Sequence, residues 1–384
     1  MHNDVTGTLP RQRIALFIPD LSAGGSERQL LELGKGLARS QQDVLIITIS
    51  DTGALLQEAR ATPGVRVITL GKRNPLVFVG RLLKVIRQEQ VGLLYSFLTL
   101  AQFYSFVVKL LFPDVKVVFR VGDSLGRGQS FDKGEAFEQF VLRLLSRLPD
   151  FYILNSQAAK AAKALPVPHD RLRVVYNGID TERFRPNSRA RQEFRRTLGV
   201  GDDVFVVGCL ARFSVYKDHP TFIEAARLVN AAVRNAYFLA IGVDTTVAGQ
   251  EAREQVRRAG MESCFRFLGG RSDVERILPA CDLGCSTSVT EGFPNAVCEF
   301  MACGVPCVVT DVGDSSLIVG DTGLVTPISD PRAVSDAILR FSRLPAEERA
   351  VLGNKSRSRI VENWSVSRMV SETHAILASV RGLE

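Results

Sequence analysis

Residues 286–313 read STSVTEGFPNAVCEFMACGVPCVVTDVG. An apolar strand-like run, LGCSTS, leads in and a second, PCVVTD, leads out, with one short helix between them. Pro294 suits the first turn of that helix and Gly304 its C-terminal stop. Val297, Phe300 and Met301 mark its buried face. Glu299 lies two residues past Val297, about 200° further round at 3.6 residues per turn, so it is predicted to point away from the core. Glu291 falls in the loop that feeds the helix. The N–H groups near Asn295, Ala296 and Val297 lack intrahelical partners and suit a phosphate or sugar oxygen. One carboxylate at a helix mouth and another on its open face match the hydroxyls of a sugar and a ribose. The bland alternative is one capping acid and one surface acid, although Gly-Phe-Pro-Asn is an unusual loop to keep for packing alone.

Outward from this stretch, short apolar strands alternate with helical patterns along the whole chain. RIALFIP, the helix SERQLLELGKGLAR and DVLIITI open the series; GLLYSFL, KVVFRV, FYILNS and RVVYNGI continue it. It restarts near residue 200 with DVFVVGCLAR and the helix HPTFIEAARLVN. Such alternation predicts parallel βαβ units, and the restart predicts two doubly wound sheets in a chain of 384 residues. The joint is placed in the polar stretch TERFRPNSRARQEFRRTLG.

Two further loops carry candidate chemistry. After VFVVGCL come Arg212 and Lys217, with Asp218 as a helix N-cap and Pro220 in the first turn. Two cations at the C-terminal edge of a parallel sheet can clamp a diphosphate, though alone they read equally as exposed loop bases. Near the start, IPDLSAGGSERQ places Gly24 and Gly25 between a strand and a helix, with Ser26 and Gln29 spaced as a capping box. The glycines admit a ligand close to the backbone, and a simple tight turn accounts for them as well.

Taken together, LARFSVYKDH, FLGGRSDV, VVYNGIDTERFRP and above all EGFPNAVCEFMACGVPCVVTDVGD with its E-x7-E resemble a retaining glycosyltransferase of family 4. The resemblance runs from about Ile14 to the last helix. It implies the α/β GT-B fold: two Rossmann-like, doubly wound parallel-sheet domains facing a cleft. Residues 1–185 would form an acceptor-binding domain and 186–363 a nucleotide-sugar-binding domain. Residues 364–384 would form a helix crossing back to the first. By the same resemblance, Arg212 and Lys217 contact the donor diphosphate, and Glu291 with the backbone of Gly292, Phe293, Pro294 and Asn295 holds the sugar. Ala296 and Val297 lie at the same helix start. Glu299 holds the ribose, Gly270 and Arg271 flank the base, and Gly24 and Gly25 face the diphosphate. No metal and no cofactor are implied. The expected partners are a nucleotide-sugar donor, a UDP-sugar foremost, and a glycan or lipid-linked acceptor in surface polysaccharide or lipopolysaccharide assembly. Nucleic acid is not among them. The chain departs from many relatives in lacking a histidine around the end of the strand that reads VVFRVGDS; Arg120 or Asp123 occupies that neighbourhood as a sugar or acceptor contact. Two other readings stay open: a nucleotide-sugar epimerase of the same fold, and a nucleotide-sugar-binding protein with impaired catalysis. A dinucleotide oxidoreductase is disfavoured, since no G-x-G-x-x-G follows either early strand.

Composition adds location. All seven cysteines lie in the second half, without a nearby histidine pattern, and read as buried free thiols of a cytoplasmic protein. No signal peptide is apparent, and Val91–Val108, though uncharged, divides into a strand and an amphipathic helix rather than a membrane span. Residues 1–185 hold 25 basic and 17 acidic side chains; residues 186–384 hold 23 and 24. Between Glu58 and Glu89 there are seven bases (Arg60, Arg66, Lys72, Arg73, Arg81, Lys84 and Arg87) and no acid. This is either a solvated face or a peripheral surface for anionic lipid on the inner face of the cell membrane. In the helix LVFVGRLLKVIRQ, Leu76, Val79, Leu82, Leu83 and Ile86 are predicted to pack inward.

Overall fold

The computed structural model describes residues 13–382 apart from 23, 72–73, 123–140, 142, 163–166 and 234. Contacts divide the chain after Gly178 and again after Ser365; Ser156–Ala158 group with the second unit.

The first unit holds strands β1 (Arg13–Ile18), β2 (Val44–Thr48), β3 (Val65–Thr69), β4 (Val91–Phe97), β5 (Lys116–Val121), β6 (Phe151–Leu154) and β7 (Leu172–Val174). They form one parallel sheet in the order β3-β2-β1-β4-β5-β6-β7. Every residue of β4 is buried, as expected for a strand covered on both faces. The period of two is visible in β1: Ile14, Leu16 and Ile18 enter one core, Ala15 and Phe17 the other. The uncharged run from Val91 does divide, into β4 and the helix Thr99–Leu111. Among the described residues no helix is long and apolar enough to cross a membrane. The final helix, Val366–Val380, packs on the helix Gly25–Arg39 through Met369, Val370 and Leu377. Gly36 is the close-approach point: a Cβ there would lie 2.3 Å from Val370.

The second unit holds β8 (Phe205–Leu210), β9 (Ala236–Ile241), β10 (Phe265–Gly269), β11 (Leu283–Ser286), β12 (Cys307–Thr310) and β13 (Leu324–Thr326), ordered β10-β9-β8-β11-β12-β13. The chain winds outward from β8 through β9 to β10, then returns to the other side of β8 for β11. The strand order therefore reverses between β8 and β11, and a parallel sheet of this kind opens a crevice beyond the carboxyl ends of those two strands. All seven cysteines are free; Cys264 is half-buried and the other six are buried. Burial drives their thiols upward, Cys209 and Cys281 to about 12, which keeps them protonated and inert.

Two sequence expectations are corrected. Ser26 and Gln29 do not form a capping box. The helix starts earlier, at Gly25 with Gly24 as its N-cap, and Gln29 is buried. Its amide clamps the backbone of Gly178, donating to the carbonyl at 2.9 Å and accepting from the N–H at 2.7 Å. In the helix Pro75–Gln88, Leu76 is not packed inward but is 82% exposed; Phe78, Leu82 and Ile86 make the buried face.

Candidate functional site

The loops after β8 and β11 meet at the switch point. After β8 the backbone makes a single 3-10 turn, Val215–Lys217, then passes through Asp218 at φ +45° into the helix His219–Ala232. Asp218 caps that helix, its side chain accepting from the Thr221 N–H at 3.3 Å and from the Thr221 hydroxyl at 2.8 Å. Thr287, just past β11, holds the turn closed: its hydroxyl lies 3.1 Å from the Lys217 carbonyl and 2.9 Å from that of Asp218. Two residues on, the Val289 N–H donates to the Tyr216 carbonyl at 2.9 Å.

This stitching brings Lys217 and Glu291, 74 residues apart in sequence, into a half-buried ion pair. The Ser288 hydroxyl donates to the same Glu291 oxygen at 2.8 Å. Arg212, on the loop leaving β8, is exposed and forms no ion pair among the described residues. One committed cation and one uncommitted cation thus flank the crevice.

From Glu291 the chain runs through the buried Gly292, Phe293 and Pro294 into the helix Asn295–Ala302. Pro294 is the N-cap of this helix rather than a residue of its first turn, and no side chain caps it. The Asn295 N–H turns back to the Phe293 carbonyl at 3.0 Å and the Cys298 N–H to Pro294 at 3.3 Å. Helix geometry leaves the Ala296 and Val297 N–H groups without an intrahelical partner at the positive end of the dipole. Val297, Phe300 and Met301 are buried and Glu299 is half-exposed, as the periodicity predicts. Gly270 and Arg271 follow β10 two strands away from the switch; both are exposed, and Arg271 pairs with Asp273 at 2.7 Å.

Two family profiles match successive parts of the chain. The one described as Glycosyltransferase Family 4 matches residues 23–183, and the one described as Glycosyl transferases group 1 matches residues 204–343. This chain belongs to the family 4 glycosyltransferases. One relative is EpsF of Bacillus subtilis, named as a glycosyltransferase, 25% identical over 337 residues and 85% of each chain. Another is LpsB of Rhizobium meliloti, a lipopolysaccharide core biosynthesis mannosyltransferase. It is 30% identical over 231 residues, 57% of this chain and 64% of its own. The crystal structure of Anabaena HepE with UDP and glucose matches at TM-score 0.84 and 20% identity, over 96% of this chain and 100% of that one. That likeness bears on the fold, which is GT-B.

Other residues expected in this glycosyltransferase lie in the first unit. Gly24 and Gly25 form the helix start described above. Arg120 ends up buried near the C-terminal end of β5, where it donates to the Asn177 side chain at 2.7 Å, while its own carbonyl receives Gln102 at 2.6 Å. Asp123 lies outside the described residues.

The structure adds residues that sequence reasoning missed. Gly313, after β12, adopts φ +58°, and a Cβ there would lie 2.6 Å from the Glu291 carbonyl and 2.7 Å from that of Gly292. Gly242, after β9, does the same for the other loop: its Cβ would lie 1.9 Å from the Ala211 carbonyl. A glycine closing T-D-V-G or A-I-G behind a strand is a legible turn signal, but what it touches is not. Thr287 and Ser288 carry no signal at all.

His219 is a fifth such residue. It is buried, stacks on Phe213 at 3.8 Å, and its Nε2 has no partner among the described residues. Burial, and next the Lys217 charge, lowers its pKa to about 4. A histidine depressed in the folded state favours folding above about 6.5, and that contribution falls as pH drops towards the folded value. His219→Phe keeps the stack and removes the titration. Between pH 7 and pH 5, wild type should therefore lose more stability than the variant, by ~1–2 kcal/mol. Parallel Tm–pH curves for the two proteins would refute this.

Proposed function

We propose that this glycosyltransferase moves a sugar from a nucleoside diphosphate sugar, a UDP-sugar foremost, to a glycan or lipid-linked acceptor. The setting would be surface polysaccharide or lipopolysaccharide assembly at the cytoplasmic face of an anionic membrane. Transfer would proceed with retention and without a metal. The observation that carries the reading is the Lys217–Glu291 pair at the β8/β11 switch point, beside the uncapped helix start at Asn295. The UDP preference draws on the HepE complex, and the acceptor class on the lipopolysaccharide role in the name of LpsB.

In this reading Lys217 and Arg212 hold the diphosphate, and the Ala296 and Val297 N–H groups take an oxygen from the donor. A lysine ammonium has three donors, so Lys217 can keep Glu291 while meeting a phosphate oxygen. Glu291, fixed by Lys217 and Ser288, offers its remaining acceptor sites to the sugar hydroxyls. Glu299 holds the ribose, and the Gly270–Arg271 loop lies at the base. Charge growing on the departing diphosphate then meets fixed cations and oriented N–H groups, which need no rearrangement in the transition state.

The test is a thermal-shift panel of nucleoside diphosphates and their sugars, followed by turnover on lipid-linked acceptors and analysis of the product anomer. If no nucleoside diphosphate stabilises the protein, the reading fails. Calorimetry with free UDP then separates the two carboxylates. Glu299→Ala should weaken UDP by about tenfold or more, the loss of a hydrogen bond to a charged group. Glu291→Ala should lose less UDP affinity than Glu299→Ala, because UDP brings no sugar and Lys217 itself remains, yet turn over poorly. Equal losses of UDP affinity would contradict this division.

A further inference from the structure

We propose that the helices Pro75–Gln88 and Thr99–Leu111 form an insertion surface for an anionic bilayer. Leu76, Val77, Leu100 and Phe103 would enter the interface, and Lys84 and Arg87 would meet lipid phosphates. The proposal rests on the reading that the protein works at an anionic membrane, and it names the surface and its mode of contact.

Single exposed apolar side chains are ordinary, but a group of them on neighbouring turns is not. Leu76 is 82% exposed, Val77 48%, Leu100 46% and Phe103 39%. The two helices are neighbours: the Phe78 and Tyr104 rings lie 4.4 Å apart, and both helices pack into the same core of the first unit. All four residues lie in the first two turns of their helices. Leu110 and Leu111, also exposed, belong to the far end of the second helix, about 15 Å away at 1.5 Å per residue.

Charge selects the occupant. Neither helix contains an aspartate or glutamate. Their four bases divide by commitment. Arg81 donates inward to the Leu70 carbonyl at 2.8 Å, and Lys109 pairs with Asp150 at 2.8 Å. Lys84 and Arg87 are exposed and have no partner among the described residues. At 100° per residue, Leu76, Gly80, Lys84 and Arg87 fall within about 80° of arc, so the apolar tip and the free bases share one exposed stripe. Gly80 leaves a gap in that stripe, with nothing within 4 Å of where its Cβ would be. Lys84 and Arg87 follow Leu76 by about 12 and 16 Å along the helix, with no acid on the helix between them, and an apolar tip leading into bases along one exposed stripe is the pattern of interfacial lipid binding. A second copy fits less well: a two-fold contact would set these bases against their own equivalents with no carboxylate on either helix to answer them.

The test uses the full-length protein and vesicles of phosphatidylcholine with phosphatidylglycerol, against phosphatidylcholine alone. Wild type should co-sediment with the mixed vesicles. The variant Leu76→Ser/Val77→Ser/Leu100→Ser/Phe103→Ser should partition about 10²-fold more weakly. Lys84→Glu/Arg87→Glu should lose roughly tenfold at low salt. Phe103→Trp serves as a reporter that leaves the surface intact, and its emission should be quenched by bromine-labelled lipid. If wild type binds but the serine variant binds equally, or the reporter is not quenched, the insertion surface is wrong while electrostatic attachment stands. If wild type ignores anionic vesicles, both the surface and the membrane reading fall. Lipid-free dimerisation abolished by the serine variant would assign the surface to a second copy instead. UDP-induced thermal shifts should persist in every variant, which keeps the donor site as a separate question.

Discussion

Lys217→Ala should lower kcat/KM for sugar transfer by about 10²–10³, the ~2.7–4 kcal/mol typical of losing one donor aimed at developing charge. Three features of the site make the expected loss this large. The ammonium is held by Glu291 rather than left to swing in solvent, so its position is set before the donor arrives. It sits on a turn closed by Thr287, whose hydroxyl reaches the Lys217 and Asp218 carbonyls at 3.1 and 2.9 Å. And it stands at the mouth of the crevice between β8 and β11, where a parallel sheet presents its ligands. Arg212→Ala should also impair transfer, by less, because Arg212 is exposed and unanchored and gives up more side-chain freedom on meeting a phosphate. A double variant separates pairing from independent action. If Lys217 and Glu291 work as one unit, the Lys217→Ala/Glu291→Ala loss should fall well short of the two single losses added together. Near-normal turnover in Lys217→Ala, with the folded state intact by circular dichroism, would remove Lys217 from the diphosphate site.

The parts of this site that were legible in sequence are those set by local patterns. Alternation of short apolar runs with helices announced two parallel sheets, and the spacing from Val297 to Glu299 turned one carboxylate outward. Arg212, Lys217 and Glu291 were each recognisable from their loops. That Lys217 and Glu291 form a pair was not, because the two lie 74 positions apart and meet only through the reversal of strand order. Gln29 shows the same limit from the other side. Its spacing from Ser26 suits a local cap, yet its amide is claimed by Gly178, 149 residues away. Periodicity also assumes that an apolar residue near the buried arc is buried. Leu76 breaks that assumption: it is 82% exposed, while the buried face of the same helix runs through Phe78, Leu82 and Ile86.

Gly313 allows the support of the Glu291 loop to be tested without replacing any residue assigned to the donor. Its φ of +58° lies in the left-handed region, where an alanine costs ~1–2 kcal/mol. The same strain exists at Gly199, φ +72°, which ends the helix Ser188–Leu198. The two positions differ in their surroundings. At Gly199 a Cβ meets nothing within 4 Å, whereas at Gly313 it lies 2.6 Å from the Glu291 carbonyl and 2.7 Å from that of Gly292. Those atoms are backbone and cannot rotate aside, so the loop itself must move. Gly199→Ala should therefore lower Tm by a few degrees, at about 2–4 °C per kcal/mol, and leave transfer unchanged. Gly313→Ala should lower Tm by at least as much and cut kcat/KM by about 10²-fold, the scale of a displacement near 1 Å at a reacting group. The loss should fall mainly on kcat with the nucleotide sugar and leave UDP affinity close to wild type, since Glu291 meets the sugar and not the nucleotide. If Gly313→Ala and Gly199→Ala behave alike in turnover, the Glu291 loop tolerates displacement, and its carboxylate cannot be holding the sugar in a fixed place.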